Sequence, residues 1–149
     1  MKVKQLIASQ VVGNVGMYFV AYRLSRLGWN VMPTSRNARG IDLLAYSSAA
    51  DRHFSFQVKA LSKPNPVPLG KSIDGFMGNF WIIVTNVAAD PECFIMKREE
   101  VKQLAHRGEK EGRISFWLQP NKYRTDEFRE NWDRIGRGDS IQSGEQRHA

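Results

Sequence analysis

The chain has 149 residues, a formal net charge of +7 and a sequence isoelectric point of about 9.8. This length favours one domain with a hydrophobic core, and the excess of basic residues is typical of proteins that bind nucleic acid. A single cysteine, Cys93, excludes an internal disulfide and a cysteine-rich zinc site, so we expect a cytoplasmic protein. No stretch of sequence is apolar and long enough to suggest a membrane span.

The first half of the chain predicts one long helix followed by three strands. Apolar residues recur at helical spacing from residue 4 to residue 27, and Gly28 stands where a helix C-terminal cap is expected. The segments WNVMPTS, IDLLAY and FSFQVKAL predict three strands, and Pro33 ends the first of them or confines it to a sheet edge. The stretch SKPNPVPLGKSIDGFMG is rich in proline and glycine, which predicts a loop.

The second half predicts further strands and two helices. NFWIIVTNV is a continuous apolar run typical of a buried strand, and CFIMK and RISFWLQ predict two more strands. REEVKQLAHRG predicts a helix that ends at Gly108, and RTDEFRENWDRIG predicts a closing helix with Thr125 as its N-cap. The order indicates an α/β fold with a mixed central sheet flanked by helices. We expect residues 1–137 to form this domain and the polar residues 138–149 to form a disordered tail.

The polar residues of FSFQVK need an explanation, since the strand otherwise looks buried. They form an ordinary solvated face, or they belong to a site that other residues complete. If Tyr46 pairs with His53 in an antiparallel hairpin, Asp42 lies directly opposite Gln57. Lys59 then projects to the same face, because side chains alternate along a strand. This register predicts a cluster of Asp42, Gln57 and Lys59.

The chemistry of this cluster suits a hard cation. Carboxylate and amide oxygens, here of Asp42 and Gln57, are suitable ligands for Mg²⁺ or Mn²⁺, and the backbone carbonyl of Val58 supplies another oxygen. A bound divalent ion polarises a phosphodiester and lowers the pKa of a bound water. Lys59 would then orient or deprotonate the attacking water, or stabilise charge that builds on the phosphate.

The motif GID, followed about 15 residues later by QVK, resembles the PD-(D/E)XK nuclease superfamily. This superfamily includes restriction enzymes, Holliday junction resolvases and Mrr-like endonucleases. A first helix ending in LSRLGWNV and a later strand FWIIVTN fit its core order, so the resemblance covers residues 12–86. It implies a restriction-endonuclease-like core and Mg²⁺-dependent hydrolysis of phosphodiester bonds in DNA. Asp42 and Gln57 would be metal ligands, and Lys59 the catalytic lysine.

Two positions depart from the superfamily's usual pattern. Gln57 stands where the second acid usually lies, as it also does in Mrr-like members. Met17, in GNVGM, stands where many relatives carry a glutamate on the first helix, and a thioether does not bind a hard cation. Gln10 and Asn14 lie about two turns and one turn earlier on the same helix face. Their amide oxygens are candidates to replace the missing carboxylate.

Four basic residues flank the motif in sequence and are candidates to contact DNA phosphates: Arg36, Arg39, Lys63 and Lys71. Their alternative role is loop solubility. The resemblance also implies a homodimer, because cutting both strands requires two sites. Two rival hypotheses remain: a catalytically inactive module of the same fold that binds nucleic acid, and a structural or regulatory protein of a mobile element or restriction system.

Overall fold

The computed structural model describes residues 8–35 and 40–139 of the chain. Its helical elements are α1 (Ser9–Arg26), α2 (Arg98–Leu104), α3 (Pro120–Tyr123) and a 3₁₀ helix (Trp132–Arg134). Its strands are β1 (Asn30–Pro33), β2 (Leu43–Tyr46), β3 (His53–Ala60), β4 (Val67–Gly70), β5 (Phe80–Thr85), β6 (Glu92–Lys97), β7 (His106–Lys110) and β8 (Arg113–Leu118). No helix within these residues combines the length and apolar character that crossing a bilayer requires.

The strands form two sheets. The central sheet has the order β1-β2-β3-β5-β6, and the smaller sheet has the order β4-β8-β7. In the central sheet β3 and β5 run parallel, while the other neighbours are antiparallel. This arrangement confirms the predicted mixed central sheet flanked by helices. It also confirms the edge position of β1, where the missing N–H of Pro33 is tolerated because the strand has a neighbour on one side only.

The two faces of β5 explain why its sequence is apolar throughout. Ile82 and Val84 face the core beneath α1, whereas Trp81 and Ile83 face a second core beneath the smaller sheet and α3. All six residues of β5 are buried, because protein covers the strand on both sides. The continuous apolar run therefore reflects a central position in three layers rather than a half-exposed strand.

Helix α1 lies directly against β3. Gly16 is buried, and a Cβ at this position would collide with the side chain of Ala60. A small residue is therefore required where the helix crosses the strand. The helix ends as predicted, because Gly28 adopts a φ of +88° and its N–H donates to Ser25 O at 2.9 Å.

The predicted loop after β3 and the predicted helix before Gly108 both differ in the structure. The stretch after β3 was predicted as a loop, but it contains strand β4. This strand lies at the edge of the smaller sheet, where a proline is tolerated because one side of the strand has no neighbouring strand to receive an N–H. The helix predicted to end at Gly108 ends at Leu104, and Gly108 lies in β7 opposite Ser115. His106 is correspondingly a strand residue, paired with Trp117.

The predicted closing helix is also wrong. After α3 the chain makes one turn at Thr125 and then runs beside β6, where the Ile95 N–H donates to Phe128 O at 2.9 Å and the Glu130 N–H to Cys93 O at 2.7 Å. Glu130 adopts a φ of +49°, which a continuous helix does not permit. Hydrogen bonds to the sheet edge therefore override the local helical pattern.

The predicted tail lies mostly outside the described residues, so its disorder stays a prediction. Gly138, its first residue, is buried against Trp29. The Gly138 N–H donates to Leu27 O, and its carbonyl accepts from the Ser48 N–H, each at 2.9 Å. The packed part of the chain therefore extends to at least this glycine.

Candidate active site

The hairpin of β2 and β3 has the predicted register, but it slips by one residue at Asp42. Tyr46 lies opposite His53, and regular pairing continues to Leu43 opposite Phe56. The Asp42 N–H then donates to Phe56 O at 2.8 Å, while its carbonyl accepts from the Thr34 N–H at 2.9 Å. A regular strand residue directs both groups to the same neighbour, so this split identifies a β-bulge. The predicted direct pairing of Asp42 with Gln57 is therefore wrong by one residue.

The bulge aims the Asp42 side chain at the backbone of β3. Asp42 Oδ2 accepts the Val58 N–H at 2.7 Å, beyond the point where β2 ends. The carboxylate thus accepts the hydrogen bond that a backbone carbonyl of β2 would accept if the strand continued. A residue's N–H and C=O point to the same side of a strand, so the Val58 carbonyl faces the same region as Asp42. Within the described residues Asp42 Oδ1 has no hydrogen-bond partner.

Lys59 is half-buried on β3, one residue beyond the Val58 amide that Asp42 accepts. Its Nζ is 5.6 Å from the ring centroid of Trp81, on the side of the sheet away from α1. Burial lowers the pKa of Lys59 below its usual 10.5, and the negative charge of Asp42 offsets part of that shift. Gln57 pairs with Trp81 in the β3–β5 ladder, so it shares this side of the sheet with Lys59. Alternation along β3 therefore brings the predicted polar pair to one face.

A cleft of about 410 Å³ opens beside Asp42. Asn14 and Met17 of α1 line one wall, and Thr34 and Ser35 after β1 line another. Of the two helix amides predicted to contribute, the structure brings Asn14 to this cleft, whereas Gln10 is exposed and is not part of its lining. Met17 packs partly against the core beneath α1.

One feature of the site escaped the sequence analysis. Gly40 adopts a φ of +71°, and a Cβ at this position would lie 3.2 Å from Met77 Cβ. The indole N–H of Trp81 donates to Met77 O at 2.8 Å, and Phe76 packs on the Trp81 ring at 4.4 Å between centroids. Trp81 therefore holds the segment before β5 next to the turn that leads into Asp42. The sequence did not indicate this role, because the apolar run of β5 already accounts for a tryptophan at position 81.

Two of the four predicted basic contacts, Lys63 and Lys71, lie within the described residues. Arg36 and Arg39 lie outside the described residues. Lys63 is exposed in the turn after β3. Lys71 is exposed after β4 and lines a cavity with Lys110 and Arg113, which shares no residue with the Asp42 cleft.

The donor atoms near Asp42 are consistent with a weakly held hard cation. In the part of the chain that the structure describes, no three His, Cys, Asp or Glu side chains come together as a metal-binding group. The donors that the structure brings to Asp42 are its own free carboxylate oxygen and the Val58 carbonyl. Gln57 shares the face of β3 away from α1 with Lys59, and neither of them is among the described residues that line the cleft. Mg²⁺ keeps several of its waters in protein sites, so a set with few protein donors suits it better than it suits Zn²⁺.

No protein-family model and no curated protein matches the sequence. Among solved structures, the chain is similar to a bacterial homing endonuclease, I-Ssp6803I, with a TM-score of 0.60 and 15% sequence identity. The similarity covers 87% of this chain and 92% of that one, so it extends over both sheets rather than a local motif. At this identity the likeness concerns the fold. The chain therefore has a mixed α/β fold similar to that of an endonuclease.

Proposed function

We propose that the protein is a metal-dependent endonuclease that hydrolyses phosphodiester bonds in DNA, with a PD-(D/E)XK type of site. One observation carries this proposal: a β-bulge aims Asp42 at the Val58 amide of β3, and the next residue of that strand is the half-buried Lys59, on which the charge of Asp42 acts. Bulges next to active sites commonly redirect a functional side chain in this way. The fold shared with a homing endonuclease supports the same reaction class.

In this proposal Asp42 Oδ1, the Gln57 side-chain oxygen and the Val58 carbonyl would be the metal ligands. These groups would hold Mg²⁺ or Mn²⁺, which polarises the scissile phosphate and makes a bound water more acidic. Asp42 Oδ2 accepts the Val58 N–H, so one hydrogen bond fixes the carboxylate and the other oxygen would be available to the metal. Asn14 lies across the cleft and provides a neutral polar group on the helix side.

Lys59 performs the acid–base or electrostatic step. A lysine whose pKa is lowered by burial has a larger neutral fraction near physiological pH, so it can accept a proton from the attacking water. In its charged form it stabilises negative charge that develops on the phosphate oxygens. The ring of Trp81 borders its ammonium group and restricts where that group can lie.

A second candidate function is a nucleic-acid-binding module without catalysis. Met17 favours it, because it lines the cleft at the position where the resemblance implies an acid. Asp42 is the one carboxylate among the described residues that line the cleft, which limits the affinity for a divalent ion. The basic composition fits either function.

We also propose that the active form is a homodimer, since one site cuts one strand. Sedimentation velocity of the purified protein tests this assembly with and without DNA. A species of twice the chain mass supports it, and a monomer under both conditions contradicts it.

The deciding experiment is a cleavage assay on supercoiled, linear and branched DNA in Mg²⁺ or Mn²⁺. It compares wild type with Asp42→Ala and Lys59→Ala, and Asp74→Ala is the matched control because Asp74 is an exposed carboxylate outside the cleft. We expect wild type and Asp74→Ala to cut and the other two to lose activity. Equal cleavage by all four proteins contradicts the proposed site. Salt-dependent DNA binding without cleavage by any of them favours the binding module.

A further inference from the structure

The hairpin of β7 and β8 carries a basic surface on the smaller sheet. We define this hairpin surface as Lys71, Lys110, Arg113 and Trp117, which line one cavity of about 530 Å³. The two strands join through a two-residue turn at Glu111–Gly112, with φ values of +53° and +79°. Both residues are left-handed, which is the geometry of a tight hairpin turn whose twist matches its strands. β4 pairs with β8 only from Phe116 to Leu118, so the end of the hairpin that carries Lys110 and Arg113 projects as a two-stranded ribbon.

The cations of this surface have no acidic partner in the described structure. Lys71, Lys110 and Arg113 form none of its ion pairs, and all three are exposed. In contrast, Arg107 on the same hairpin pairs with Glu109 at 3.3 Å. Of the described residues that line the cavity, Glu111 at the turn is the one acid. The surface therefore keeps an uncompensated positive charge.

Lys110 lies directly opposite Arg113 in the β7–β8 ladder. Like charges at directly opposed positions destabilise a sheet, so this pair is not explained by stability of the hairpin. A polyanion that lies over both side chains would remove the repulsion. A bound phosphate backbone therefore explains why two cations lie opposite each other here, whereas the stability of the fold does not.

An exposed indole lies beside these cations. Trp117 is 37% exposed, and its indole N–H donates to Ser115 Oγ at 3.0 Å, which fixes the ring on the outer face of the sheet. Pro68 of β4 lies opposite Trp117 and extends the apolar contact area. A rigid aromatic among cations matches the mixed apolar and anionic character of nucleic acid better than that of a simple anion.

We propose that the hairpin surface binds duplex DNA, with the β7–β8 ribbon in the major groove. This inference rests on the proposed function in taking DNA as the partner, but it assigns a contact region outside the Asp42 cleft. The major groove is about 12 Å wide and admits a two-stranded β-ribbon. Lys71, Lys110 and Arg113 contact phosphates and base edges, while Trp117 contacts the apolar edges of bases. The ribbon thereby positions the DNA independently of the residues that cleave it.

Binding measured without divalent metal tests this surface separately from catalysis. Fluorescence anisotropy in EDTA, with a labelled mixed-sequence duplex and its matching single strand, gives the affinity over a series of salt concentrations. The test variant is Lys110→Ala with Arg113→Ala, and Lys102→Ala with Lys122→Ala is the control that removes equal charge elsewhere. A third protein, Lys110→Arg with Arg113→Lys, keeps both charges. Circular dichroism confirms that each variant is folded.

We expect the test variant to bind the duplex at least about tenfold more weakly and to lower the salt slope by about 2, one for each lost phosphate contact. The control and the charge-keeping protein retain the wild-type slope. Equal loss in test and control overturns the proposal, as does tighter binding of wild type to the single strand than to the duplex. Wild type that binds neither DNA overturns it as well. Loss of duplex binding in a protein that never cleaves would support this surface while rejecting the endonuclease.

Discussion

The Val58 amide donates to Asp42 Oδ2 at 2.7 Å, at the bulge where β2 stops pairing with β3. One carboxylate oxygen is therefore a structural acceptor, and the other is available for a ligand. The two roles of Asp42 make different demands on the residue, so substitutions can separate them.

Asp42→Asn tests the ligand role while it keeps the structural one. The amide oxygen still accepts the Val58 N–H, so we expect the free energy of unfolding to change by less than about 1 kcal/mol. Loss of the negative charge should lower the cleavage rate by about 100-fold or more. Urea unfolding and plasmid cleavage measure the two effects. Asp42→Asn with a wild-type cleavage rate would contradict the assignment of Asp42 as a ligand.

Met17→Glu tests whether the missing acid limits the site. The new carboxylate would enter the cleft that Met17 already lines, opposite Asp42. We expect the Mg²⁺ concentration for half-maximal cleavage to fall about tenfold, because ligand charge raises divalent-ion affinity. Met17→Gln is the control, since it has the same length without the charge. An identical Mg²⁺ dependence in wild type and Met17→Glu would show that the helix position does not contribute to the metal site.

Lys59→Met tests the cost of holding a lysine in a half-buried position. Burial lowers the folded-state pKa below the unfolded value of 10.5, so the unfolded chain binds the proton more tightly. The penalty on wild type is complete below the folded pKa and disappears as the pH rises towards 10.5. We therefore expect Lys59→Met to abolish cleavage and to stabilise the protein by about 1 kcal/mol near neutral pH. The gain should shrink at alkaline pH, as thermal unfolding across pH will measure.

A stability gain that did not change with pH would contradict this explanation. The exposed Lys63→Met is the matched control, and its stability should stay close to that of wild type at every pH.

Two glycines of α1 allow a paired test of helix packing. Gly16→Ala places a methyl group into Ala60, and overpacking of this kind costs about 1–3 kcal/mol. At Gly13 the same methyl would meet no atom within 4 Å, so Gly13→Ala should stabilise the helix by about 0.5–1 kcal/mol. Chemical unfolding of both variants gives the comparison. A neutral Gly16→Ala would show that α1 can move away from β3 without cost.

The sequence predicted the central sheet because its strands depend on local pattern. The β2–β3 register followed from turn length and alternation, and it placed Gln57 and Lys59 on one face correctly. The bulge at Asp42 was not predictable, since it depends on a hydrogen bond between its backbone N–H and Phe56 O. Strand pattern locates a site residue along the chain, but a bulge decides where its side chain points.

The two elements that the sequence predicted wrongly, the closing helix and the loop that contains β4, share a physical cause. Residues 125–136 have the apolar spacing of a helix, but β6 offers unpaired backbone groups that bind this segment in an extended form. β4 was missed because Pro68 argues against a strand unless the strand is at an edge, and only the tertiary structure shows that position. Non-local partners therefore determined the elements that local propensity assigned wrongly.

The segment beside β6 also limits how copies of the chain can associate. The outward backbone groups of Cys93 and Ile95 are all engaged, by the backbone of Phe128 and Glu130 and by the side chains of Glu130 and Arg134. An exposed sheet edge invites another strand to extend the sheet across a subunit boundary, and this edge is closed to such an addition. A second copy that extends the central sheet must therefore do so at the opposite edge, β1, where Pro33 shortens the available ladder.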